Sequence, residues 1–93
     1  MSTLQIDIGR QSDGCVYMLH PRAARALQER FPGVHRVPSV FIGYDARADF
    51  ETMHGPLWKQ IATILTGLTW EQIEGMGGVT LYDPMDSELR KVA

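Results

Sequence analysis

Cys15 is the single thiol of this 93-residue chain, and His20, His35 and His54 are its three imidazoles. A cysteine nucleophile needs a base within hydrogen-bond reach and a setting that favours the thiolate. His20 follows five positions after Cys15 and His54 lies far downstream, so only the fold can bring a base to the sulfur. No local signature surrounds the cysteine, and the apolar run in which it sits predicts a buried, slowly reacting thiol. The same four residues are the natural candidates for a metal. No two of them stand three or four apart, and none has the short knuckle spacing of a zinc site, so no metal or other cofactor is expected.

Two groups of carboxylates come next: Asp45, Asp49 and Glu51, then Asp83, Asp86 and Glu88. Both fall in segments that read as loops or turns, where acids bond to backbone and stay hydrated. Neither has the oxygen-ligand register of a calcium loop. Gly75, Gly77 and Gly78 follow a helix and precede a strand. A phosphate cradle needs the reverse order, so these glycines read as a helix stop and a tight reversal.

The stretch ATILTGLTWEQIEGM has the outline of a helix-turn-helix. Its second helix exposes Glu71, Gln72 and Glu74 with no lysine or arginine, a face that would repel phosphate. Positive charge lies elsewhere. Between His20 and Arg36 there are four arginines and one glutamate, a net of +3. Between Trp70 and Ala93 there are five acids and two bases, a net of −3, within a chain of net charge −2. Arg22 and Arg25 stand one helical turn apart, and Arg30 and Arg36 extend the basic region. Arginine and aromatic residues are enriched at protein interfaces, which brings in Tyr17, Tyr44, Trp58 and Tyr82.

The elements that must position these groups follow from periodicity. Residues 3–8 (TLQIDI) alternate as a half-buried strand, GRQSDG reads as a somewhat long turn, and 15–19 as the second strand of a hairpin. Pro21 suits the first position of a helix whose stripe is Ala23, Ala24, Leu27 and Phe31, ended by Pro32-Gly33. Residues 39–44 read as a strand, and 45–55 as a loop with one short helical turn. The central segment begins at Pro56. Leu57, Ile61, Ile64, Leu65 and Leu68 form its stripe, Gly67 stops it, and Thr69 with Gln72 makes a capping box for a second, short helix. Residues 79–82 read as the last strand, and 84–93 as a frayed tail.

The order β-β-α-β-α-α-β predicts an α+β fold: one compact domain over 1–93, a small mixed or antiparallel sheet, and helices packed on one face. Its 44% hydrophobic and 22% charged residues suit an ordered chain. No apolar run is long enough to span a membrane, the start does not read as a secretion signal, and one cysteine suits a reducing, cytoplasmic setting.

The expected function is a small non-enzymatic protein-binding or regulatory module, such as a phage-type or bacterial inhibitor or an accessory subunit of a larger complex. Its expected surface comprises Arg22, Arg25, Arg30, Arg36, Tyr44 and Trp58, facing a partner with an acidic surface. A nucleic-acid binder using the same arginines is the alternative, and a Cys15-dependent enzyme the third reading. A homodimer is also expected, with the 3–19 hairpin or the 79–82 strand supplying a free edge.

Overall fold

The computed structural model describes residues 4–43, 57–84 and 88–91, the last as backbone. Strand β1 (Leu4–Gln11) buries Leu4, Ile6 and Ile8, while Gln5, Asp7 and Gly9 alternate onto the other face. It turns at Ser12-Asp13 into β2 (Gly14–Leu19), with Gln11 opposite Gly14. The hairpin loop is therefore tighter than the polar GRQSDG stretch suggests. Pairing with β2 carries Gly9, Arg10 and Gln11 into the strand despite their polarity.

The first helix, α1 (Pro21–Arg30), starts with proline at its first turn and buries Ala23 and Leu27. His20 caps it: Nδ1 accepts from the N–H of Arg22 at 3.1 Å. A loop leads to β3 (Val40–Gly43). Helix α2 (Trp58–Thr66) follows, capped at Leu57 with no side-chain bond, so it starts two residues after Pro56. Its buried residues are Ile61, Ala62, Leu65 and Thr66. That arc lies toward Ala62 and Thr66 rather than toward Ile64, which is 51% exposed although its spacing fits the predicted stripe. Thr66 is accommodated because its hydroxyl donates to the carbonyl of Ala62 at 2.7 Å and accepts from the N–H of Leu68 at 3.2 Å.

Gly67 ends α2 in the left-handed region, φ 71°, and its N–H bonds the carbonyl of Thr63 at 2.9 Å. A Cβ there would run into the His35 carbonyl and stand 2.7 Å from Cγ1 of Val34. The turn is thus a place of close backbone approach, where only glycine fits. Helix α3 (Trp70–Gly75) opens with both bonds of the predicted capping box. Thr69 Oγ1 accepts from Gln72 N–H at 3.2 Å, and Thr69 N–H donates to Gln72 Oε1 at 2.9 Å. Strand β4 (Val79–Asp83) comes next, and β5 (Glu88–Lys91) then adds a strand where the sequence reading has a frayed tail.

The sheet has the order β3-β2-β1-β4-β5. Its central pair, β1 and β4, is parallel and sets Leu4 against Val79 and Ile6 against Leu81; the other three pairs are antiparallel. The fold is α+β with a mixed sheet, in the predicted element order. On its covered face Leu4, Ile6, Ile8, Cys15, Tyr17, Val79 and Leu81 join Leu27, Ile61, Leu65, Leu68 and Ile73 in one core. Each fully buried Leu or Ile contributes roughly 2 kcal/mol of transfer free energy. On the opposite face Met18 and Phe41 are exposed, and Val16, Thr80 and Tyr82 are half-buried.

The strand order also moves the edges. β1, β2 and β4 each have a neighbour on both sides, so neither the hairpin nor the 79–82 strand offers a free edge; β3 and β5 are the edges. No helix among the described residues is long and apolar enough to cross a membrane.

Candidate binding surface

Helix α1 buries one narrow stripe and turns the rest of its surface outward. Arg22, Arg25 and Arg30 are exposed, together with Gln28 and Glu29. The first turn carries no acid, and Arg30 lies in the last turn, where a cation also suits the negative end of the helix dipole. Among the described residues none of these three arginines is in a salt bridge. Arg30 Cζ stands 5.6 Å from the centroid of the Phe31 ring, which turns the guanidinium across the helix end.

Arg36 does something else. Its Nη2 donates to the carbonyls of Leu27 at 2.9 Å and Phe31 at 3.0 Å, and its Nη1 to the carbonyl of Val34 at 2.9 Å and to Gln28 Oε1 at 3.4 Å. The Leu27 carbonyl also accepts the N–H of Phe31 at 2.7 Å and the Phe31 carbonyl that of Val34 at 3.2 Å, so the guanidinium adds a second donor to each at the end of α1. Arg36 clasps the helix end to the following loop and is half-buried, so most of its donors are engaged within the fold.

The aromatic candidates separate. Tyr17 is fully buried, which makes it a core residue rather than a surface anchor. Tyr44 lies outside the described residues. Tyr82 is half-buried on the open sheet face. Trp58 stands at the start of α2 and meets Trp70, at the start of α3, edge to face: ring centroids are 4.9 Å apart and the planes 68° apart. Both indoles are half-buried against the core. Lys59 Nζ lies 5.6 Å from the Trp58 centroid and 5.3 Å from that of Trp70. The Trp70 indole N–H donates to Glu74 Oε1 at 2.6 Å. Sequence reasoning singled out Trp58 alone. The available signal was a tryptophan opening each of two helices joined by a three-residue glycine turn.

Cys15 is fully buried on the covered face of β2, and His20 is occupied by its capping bond. His35 is exposed in the loop over Gly67, and His54 lies outside the described residues. Among the described residues no three His, Cys, Asp or Glu side chains gather as a metal site. Of the two carboxylate groups, Asp45, Asp49, Glu51 and Asp86 lie outside the described residues. Asp83 is buried and paired with Arg10 rather than hydrated in a turn. Gly77 and Gly78 both take positive φ, and their N–H groups bond back to Glu74 and Ile73 at 3.0 Å, so those amides close the end of α3. In comparisons with known proteins the chain matches no family model, no curated protein and no solved structure.

Proposed function

We propose that this protein is a non-enzymatic binding module whose basic face, Arg22, Arg25 and Arg30 on α1, docks on an acidic surface of a larger protein. The observation that carries the reading is the exposure of three arginines on one short helix with no acid in its first turn. Desolvated at a complementary surface, guanidinium groups form bidentate bonds to carboxylates that exposed lysines form less well. Arg36 serves indirectly, by holding the end of the helix that displays them. The burial of Cys15 and the engagement of His20 speak against thiol catalysis at that pair.

Charge reversal tests the reading. A variant with Arg22, Arg25 and Arg30 all changed to Glu keeps the core-facing residues of α1 and should fold. In affinity capture from the native host, a stoichiometric protein retained by wild type at about 0.15 M salt and lost by the variant is the expected result. Equal retention by both removes α1 as the interface. Titration with duplex and single-stranded oligonucleotides at low salt covers the other use of the same arginines: steeply salt-dependent binding there would replace a protein partner by nucleic acid.

A further inference from the structure

The corner between Trp58 and Trp70 is built like a receptor for a cation. The two ring centroids and the Lys59 nitrogen form a nearly equilateral triangle of 4.9, 5.3 and 5.6 Å, so the ammonium stands in the angle between two indoles 68° apart. The walls are held independently of their occupant. Both rings pack against the core, the turn joining their helices is set by Gly67 and by the Thr69–Gln72 box, and Glu74 fixes the Trp70 indole through its N–H. The occupant is not fixed in the same way: Lys59 is exposed and hangs on a flexible four-carbon stem.

A primary ammonium is a poor match for such a corner, because it is compact and strongly hydrated. A quaternary ammonium sheds water at lower cost and sets its methyl groups on the negative faces of the rings. We propose that Trp58 and Trp70 form a binding site for a quaternary ammonium group, with Lys59 as an internal stand-in that a ligand displaces. The proposal does not depend on the α1 arginines.

Trp58 and Trp70 are the only two tryptophans of the chain, so their fluorescence reports on the site directly. Choline chloride, at constant ionic strength, should change it saturably with a dissociation constant on the order of 1 mM. The neutral isostere 3,3-dimethylbutan-1-ol should leave no saturable change. Lys59→Ala removes the internal competitor and should tighten choline about 2- to 5-fold. Trp70→Phe keeps Trp58 as reporter and should weaken binding about 5-fold or more. Peptides containing trimethyllysine, with unmodified lysine as control, distinguish the source: tighter binding than choline assigns the site to a modified protein segment, and weaker binding to a free or headgroup-type ligand. A linear, non-saturating response to choline in both wild type and Lys59→Ala, or an equal response to the neutral isostere, overturns the proposal.

Discussion

Nε of Arg10 lies 2.6 Å from Oδ2 of Asp83, an ion pair that joins the end of β1 to the end of β4. Asp83 is 2% exposed and Arg10 about a third exposed, so the carboxylate relies on that guanidinium more than the guanidinium relies on it. Arg10→Ala should destabilise the protein by about 1–3 kcal/mol, since it strips the nearest cation from a buried carboxylate. Adding Asp83→Leu to that variant should recover part of the loss. Urea midpoints of the two single variants and the double variant measure the coupling, and strictly additive losses would show that the pair contributes nothing.

Gly67 and Gly75 offer opposite outcomes from one kind of change. Gly67→Ala places a Cβ at φ 71° and drives it into the His35 carbonyl and the Val34 side chain. A loss of about 2–4 kcal/mol is expected. Gly75 sits in the last turn of α3 with open space around the added carbon, so Gly75→Ala should be neutral or stabilising by up to about 1 kcal/mol. Thermal and urea unfolding of the pair separate steric crowding from helix propensity.

Arg36→Ala should release the end of α1. The carbonyls of Leu27, Phe31 and Val34 lose their guanidinium donors, at a cost of about 1–2 kcal/mol. Arg36→Lys should recover little of it, because an ammonium cannot span the same fan of acceptors. Hydrogen exchange should quicken in the 27–34 segment while the β1–β4 amides keep their protection.

Cys15 should react with alkylating agents only when the molecule opens. Its burial predicts a modification rate that rises with urea as unfolding does. Cys15→Ala should fold, lose about 1–2 kcal/mol through the small cavity left beside Tyr17 and Ile42, and bind as wild type does. Fast alkylation of the native protein, with a pH midpoint well below that of a free thiol, would reopen the catalytic reading.

Local chemistry made much of this architecture legible. The alternation of Leu4, Ile6 and Ile8, the Thr69–Gln72 box and the Pro21 start are short-range signals, and each stands where its own spacing puts it. Strand order is not a local property: nothing in Val79-Thr80-Leu81-Tyr82 states that it pairs with Leu4 to Asp7. β5 was hidden for a related reason, since Glu-Leu-Arg-Lys has no apolar alternation and gains its strand conformation from β4. At the candidate surface, Arg22, Arg25 and Arg30 were readable from helical spacing. The clasping role of Arg36 was not, because its acceptors are backbone carbonyls that no residue type announces.

The parallel pairing of β1 with β4 has a consequence for how the chain comes into being. During synthesis β1, β2, α1 and β3 emerge first, and they can form a hairpin, a helix and a three-stranded meander from near neighbours. Until Val79 to Tyr82 emerge, the backbone edge of β1 at Leu4 to Asp7 has no partner on that side, and α2 and α3, whose Ile61, Leu65 and Ile73 share one core with Ile6 and Ile8, arrive only shortly before it. The nascent sheet therefore keeps an open edge at β1 until β4 is made, and cooperative closure waits on that strand. A chain cut before Val79 should leave β1 as an exposed edge and aggregate more readily than the chain that includes β4, which light scattering of the two refolded proteins would show.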